Sequence, residues 1–298
     1  MDAFVALAPF YGGAAVLIRE AVRRSGRGWV TFVLLALAYA LLEEGIVTQS
    51  LFNPNYLHLR LIDYGFVPAL GTALPWAVYV LGIHIAWSLA VPIGLAEAAF
   101  PERRTEPWLN PAGMVVTILL FIAGAAMIAN FSRSDTPYRD SVPELMTCAV
   151  LIILLVATAL LGPRRQPASA SQPVSPWLVA AFALAAGSAF LLAYALGISR
   201  LPWPATAALE TAVAAAILAF FGWAAHRRWT TVQTWAAALG GMLCYAWFGY
   251  LIDRDMHPPS GTPTHSVFVL LLLGIALWAG VRTRRATAGA SAHPAPAS

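Results

Sequence analysis

Glu43, Glu44, His84 and Glu210 stand inside long apolar runs, and Glu97 stands just past the end of one. A carboxylate at the centre of a bilayer costs about 2.5–3.5 kcal/mol on insertion scales, so each needs a partner, a water-filled cavity or a proton. Carboxylates and imidazoles are also the side chains of general acid–base chemistry and of zinc ligation. One role for Glu43 or Glu44 is therefore to activate a water, with His84 as helper or ligand. Two histidines near an outer loop, His257 and His265, are the remaining candidate metal ligands. No pair has a tight spacing such as HExxH, so the expected cofactor is none, with zinc as the one metal these residue types fit.

The elements that position these residues are membrane helices. The chain has 298 residues, 59% apolar and 11% charged, with a mean hydropathy of +0.70. A soluble domain carries roughly 25% charged residues. A bilayer core about 30 Å thick takes about 20 apolar helical residues. Nine runs meet that description: Ala3–Ile18, Trp29–Val47, Trp76–Leu95, Ala112–Asn130, Leu145–Leu161, Trp177–Ile198, Ala205–Ala225, Val232–Ile252 and Ser266–Val281. The expected fold is an all-α polytopic transmembrane bundle of about nine spans, or eight if the first, which contains Gly12 and Gly13, does not cross. The lipid bilayer is the expected surrounding.

All 18 basic residues are arginines. Thirteen of them, from Arg19 to Arg285, follow the odd-numbered runs, and five (Arg60, Arg133, Arg139, Arg200 and Arg254) follow the even ones. The positive-inside rule puts the first set in the cytoplasm, the N-terminus outside and the C-terminus inside. Arginine in place of lysine, with abundant Ala and Gly, points to a GC-rich bacterial genome and so to a bacterial inner membrane. No clustered basic face supports nucleic-acid binding. At about 1.5 Å per residue, Glu43 and Glu44 lie about 6–8 Å below the outer surface, Glu210 about 8 Å and His84 about 12 Å. Neighbours on a helix point about 100° apart, which predicts that Glu43 and Glu44 do not share one target. Glu97 falls at the cytoplasmic end of its run, where snorkelling or pairing with Arg103 and Arg104 is expected.

The rest of the chain is organised around these runs. Residues 1–162 are expected to form a first bundle with the polar cluster, and 177–282 a second. Between them, 163–176 is rich in Pro, Ser and Ala and reads as a cytoplasmic linker. Residues 283–298 read as a disordered cytoplasmic tail. The stretch 67–75 is apolar with Pro68, Gly71 and Pro75, a candidate cap over the polar cluster. Cys148 and Cys244 lie in apolar runs and read as inert thiols. The tryptophans near run ends, among them Trp29, Trp76, Trp108 and Trp203, read as an interfacial belt. No basic region precedes the first apolar run, so a cleaved signal peptide is not expected.

Two resemblances follow from these residues. The segments APFYGGAAVLIREAVRRSGRGW, LLEEGIVTQSLFNPNY, HIAWSLAVPIGLAEAAFP and PWLN, within about the first 110 residues, resemble a family of uncharacterised bacterial polytopic membrane proteins. That resemblance implies a membrane location and no particular activity. Glu43-Glu44, with His84 some forty residues later, also resembles the EExxxR and FxxxH motifs of the CPBP (Abi) intramembrane metalloproteases. Here Thr48 replaces the arginine, Val80 replaces the phenylalanine, and no HxxxN or HxxxD follows. The two functional expectations are a small-solute binder, transporter or scaffold with a polar pocket near the outer face, and a CPBP-like metal-dependent intramembrane protease.

The orientation is checked by labelling single cysteines with an impermeant maleimide in intact cells. A cysteine at Ser260 is expected to react and one at Ser171 only after permeabilisation; the reverse pattern refutes the inside–outside assignment.

Overall fold

The computed structural model describes residues 2–162, 171–256 and 262–292. Among these residues, nine helices are long and apolar enough to cross a membrane. They are α1 (Val5–Ser25), α2 (Trp29–Val47), α3 (Leu74–Ala99), α4 (Pro111–Asp135), α5 (Val142–Leu161), α6 (Pro176–Arg200), α7 (Trp203–His226), α8 (Thr231–Ile252) and α9 (Pro263–Gly289). The all-α polytopic expectation holds, and the first run is long enough to span. A two-stranded antiparallel hairpin, β1 (Phe66–Val67) and β2 (Thr72–Ala73), interrupts the α2–α3 connection, pairing Phe66 with Ala73 and Val67 with Thr72.

Two helix ends depart from expectation. Helix α1 does not stop at Ile18 but runs through the first arginines to Ser25, where Gly26 adopts a left-handed φ of 65°. Its N–H bonds to Arg23 O, and the Arg27 N–H to Val22 O, which closes the helix with glycine at the position that favours it. Arg19 and Glu20, expected in a loop, are consequently buried. Glu20 accepts the Trp108 N–H at 2.6 Å, and the Arg19 guanidinium carbon lies 3.4 Å from the centre of the Trp108 ring. Trp108 thus serves as an anchor for α1 as well as standing near a span end. Helix α9 continues as regular helix to Ala292, so the disorder expected from Thr283 does not begin there. Its Ala-rich stretch has no helix-breaking proline before Pro294. Residues 293–298 lie outside the described residues.

The described chain divides into two compact units, and α3, α6 and α7 each contribute residues to both. The first unit comprises residues 1–89, 107–166 and 190–215. In it α2 packs along α5, and α1 packs on α4. The α1–α4 contact is close: Phe10 is fully buried and stacks on Phe121 at 5.4 Å between ring centroids. A β-carbon added at Gly124 would lie 2.7 Å from the Phe10 backbone nitrogen. The second unit comprises 90–106, 167–189 and 216–298. Its core joins the end of α3 to α8 and α9 through Leu95, Ala238, Met242 and Ala276. There the Thr283 hydroxyl donates to Ala98 O at 2.9 Å and the Trp235 indole to Ala276 O at 2.8 Å.

Gly124 lets α4 lie against α1 beside Tyr11, so Gly124→Leu is expected to force the helices apart at a cost of about 1–3 kcal/mol. The check is thermal unfolding in detergent: a midpoint several degrees lower is expected, and an unchanged midpoint contradicts the contact.

Candidate functional site

Three of the nine spans contain a π-helical segment, and each segment carries residues of one polar cluster. Ala8–Gly12 in α1 holds Tyr11, Glu43–Val47 ends α2, and His84–Ala90 lies in the middle of α3. π turns are rare and concentrate at functional sites. Local sequence supplies reasons for them. Pro92 lacks an N–H and its ring crowds the carbonyl four residues earlier, at Ser88, within the α3 segment. Pro9 has the same effect in α1. Gly45 lets the end of α2 lie against Cys148, whose sulfur would be 2.5 Å from an added β-carbon.

The cluster closes on His84. Its Nε2 lies 2.7 Å from Glu44 Oε1 and its Nδ1 3.1 Å from Glu43 Oε2. Nδ1 is also 2.9 Å from Ser88 Oγ. The expectation that Glu43 and Glu44 cannot share a target is therefore corrected. The imidazole inserts between the two carboxylates and presents one nitrogen to each, so their divergence on the helix is an advantage. Glu43, Glu44 and His84 are all buried, and one ligand atom from each lies within 4.8 Å of the others.

Hydroxyl groups surround the carboxylates. Tyr11 donates to Glu43 Oε1, and Ser50 donates to Glu44 Oε2. Thr48 Oγ1 lies 3.2 Å from Glu44 Oε2 and 3.0 Å from the Glu43 carbonyl. The rings of Tyr11 and Tyr39 lie 5.9 and 6.5 Å from the His84 ring, centroid to centroid, the first stacked and the second edge-on. Glu43 Oε2 is thus met by His84 Nδ1, and the Tyr39 hydroxyl lies within hydrogen-bond reach of the Glu43 carboxylate.

The chain leaves α2 through Gln49, a buried non-glycine residue at φ 64°. A left-handed residue with a β-carbon costs roughly 1–2 kcal/mol. Its effect is to turn Ser50 back onto Glu44, and the turn is held by Leu51 N–H to Glu44 O and by the Trp76 indole to Ser50 O at 3.2 Å. Trp76 is thus buried in the site and is not part of an interfacial belt. Ser50 and Thr48 of this turn lie against Glu44, and the hairpin meets Glu144 and Phe52 through Gly71. Tyr56, in the same connection, is pushed up to about 12 by burial and by Glu44.

The other expected site residues go elsewhere. Glu97 is buried in the second unit, so it does not snorkel to solvent. His265 lies within α9 rather than in a loop; its Nε2 bonds to Ala246 O at 2.9 Å and its ring stands edge-on to Tyr250. Among the described residues, His265 is not part of the group of converging ligand atoms, which comprises Glu43, Glu44 and His84. His257 lies outside the described residues. Glu210 is fully buried in the first unit, and its carboxylate oxygens have no hydrogen-bond partner among the described residues. Sequence reasoning missed Tyr11, Tyr39, Thr48, Ser50 and Ser88. Tyr39 and Thr48 stand four residues from Glu43 and Glu44, and Ser88 four from His84. That i, i+4 spacing is the signal that would have found them.

Fold and site together define a polytopic α-helical membrane protein with a buried carboxylate–imidazole centre in one of its compact units. The chain belongs to an uncharacterised membrane protein family, whose model matches residues 2–295. No curated protein matches it, and no solved structure does.

Next to the site, Asp140 in the α4–α5 connection is buried beside the Gln49 side chain. Burial pushes its carboxyl from 3.8 up to about 7; Glu144 adds to the rise, while Gln49 and Arg133 oppose it. The folded state thus holds this proton more tightly than the unfolded chain. Stability from this group is complete below about pH 4 and is lost as pH rises towards 7. Asp140→Asn is expected to flatten the fall in thermal midpoint between those values and to be the more stable protein at pH 8. An unchanged pH profile contradicts this.

Proposed function

We propose that this protein handles an ion or small solute within the bacterial cytoplasmic membrane, and that its working centre is a divalent-cation site of the zinc class formed by Glu43, Glu44 and His84. The observation that carries the reading is the convergence of three buried donor atoms within 4.8 Å, one from each residue. Carboxylate oxygen and imidazole nitrogen are the donors zinc takes from proteins. Ionisable groups facing the interior of a membrane bundle mark ion and substrate paths. The arginine distribution supports an N-terminus outside and a C-terminus in the cytoplasm, which puts the centre nearer the outer face.

The Tyr11 and Tyr39 phenols and the Thr48 and Ser50 hydroxyls serve this site as supporting groups. They orient the carboxylates, as partners of metal ligands commonly do. Their loss is expected to weaken binding by about 10–100-fold without abolishing it.

A second reading is metal-dependent intramembrane hydrolysis, with Glu43 or Glu44 activating water. It is favoured by the number of side-chain donors: three protein ligands are characteristic of catalytic zinc, because they leave a position for water or a substrate oxygen.

Elemental analysis of the protein purified in detergent tests the site. About one equivalent of a zinc-class metal per chain is expected in the wild type, with loss in both Glu44→Gln and His84→Ala. The same metal content in all three proteins, or none in any, overturns it. Where metal is present, cleavage of a membrane-embedded peptide by the wild type and not by Glu44→Gln selects the hydrolase over the transporter.

A further inference from the structure

The first unit contains a second buried acid that the Glu43–Glu44–His84 centre does not use. Glu210 lies seven residues into α7, about 10 Å from the start of the helix, and has no exposed surface. Neither of its carboxylate oxygens has a hydrogen-bond partner among the described residues. Native proteins rarely leave such groups unmet, because an unpartnered buried polar group costs about 1–3 kcal/mol and a charged one more.

The surroundings form a closed corner. Thr206, one helical turn before Glu210 and on the same face, is also fully buried. Its hydroxyl lies 2.7 Å from the Tyr64 hydroxyl. Tyr64 reaches in from the α2–α3 connection and also bonds to Gly197 O and Leu201 O at the end of α6. A β-carbon at Gly197 would lie 2.5 Å from Thr206, so α6 and α7 touch there. Tyr194 on α6 is within electrostatic reach of Glu210 and stacks on Tyr79 at 4.2 Å between ring centroids. Tyr194 and Tyr64 are the titratable groups that face this corner, and neither is a cation. The carboxylate, the hydroxyls and the backbone carbonyls are all hard oxygen donors, which suit a small hard cation.

We propose that Glu210 is a monovalent-cation site, binding a proton or a sodium ion, separate from the carboxylate–imidazole centre. A single positive charge balances a single carboxylate where no cationic side chain is found beside it among the described residues. The polar groups of this corner, Thr206 on α7 and Tyr64 in the α2–α3 connection, are not members of the His84 cluster.

A hydrophobic carbodiimide, which adds to a carboxyl group only when it carries a proton, tests this on the full chain in lipid nanodiscs. Peptide mass spectrometry distinguishes an adduct at Glu210 from one at Glu43 or Glu44. The expected result is an adduct at Glu210 near neutral pH, where a solvated carboxyl is ionised. Labelling is expected to fall at least about tenfold either as pH is raised by about two units or as sodium replaces a large organic cation at fixed pH. Loss on raising pH alone identifies the proton, and protection by sodium identifies the metal ion. Glu210→Gln should remove the adduct and keep the same elution volume, which assigns the site. No adduct at any pH or salt, or an adduct indifferent to both, overturns the proposal and leaves Glu210 a packing residue. Because the readout is at Glu210, loss of metal from Glu44→Gln does not decide it.

Discussion

One imidazole between two carboxylates, away from water, is the constraint to which the first unit is built. In a low-dielectric interior such groups are tolerated only when their polar atoms are met, and each one missed costs about 1–3 kcal/mol. The structure meets most of them from four directions. Tyr11 comes from α1, the acids and Tyr39 from α2, His84 and Ser88 from α3, and Ser50 from the turn that leaves α2. The Tyr11 contact depends on α1 lying close to α4, which the glycine at 124 permits, and the Ser50 contact on the turn that Trp76 holds. Packing around the centre is therefore subordinate to polar geometry.

The three π-helical segments make the same point from the backbone. A π turn sacrifices regular hydrogen bonding and lengthens the helical circumference. In a chain free to choose, stretches as apolar as these would remain α-helical, since every unmet backbone group in a bilayer is costly. Here the irregular turns occur at Tyr11, at Glu43-Glu44 and at His84, the residues that meet. The left-handed Gln49 adds a fourth departure from low-energy backbone at the rim of the same cluster. Strain gathered at one place, in elements far apart in sequence, is the pattern expected of a site maintained for its chemistry.

The helices could be read from the sequence because lipid imposes a length and a composition on each span, and arginine marks the breaks. Depth was readable for the same reason: a constant rise per residue places Glu43, Glu44 and His84 at comparable levels. What could not be read was direction around the helix axis. The 100° rule separated Glu43 from Glu44, yet both reach His84, because a third helix can enter the angle between them. The boundary of α1 was misread because an arginine looks like a loop residue; Arg19 is instead covered by Trp108, a contact some ninety residues away. Tyr11 and Tyr39 were passed over because tyrosine is ordinary in a membrane span. Only the i, i+4 spacing to an acid gives Tyr39 away, and Tyr11 has no local signal.

The two buried acid sites of this unit differ in a way that charge balance explains. Glu43 and Glu44 together offer up to two negative charges, and His84 adds a nitrogen donor without adding an anion, so the occupant proposed for that arrangement is a doubly charged, borderline-soft ion. Glu210 offers one negative charge, and its oxygens have no hydrogen-bond partner among the described residues, so the occupant proposed for it is a singly charged cation. In water the distinction would matter little, because solvent screens any residual charge. In a dry bundle a surplus unit charge is expensive enough to exclude the wrong ion without any fine matching of radius. On the two proposals above, the number of carboxylates at each site would itself set the charge of the ion it accepts.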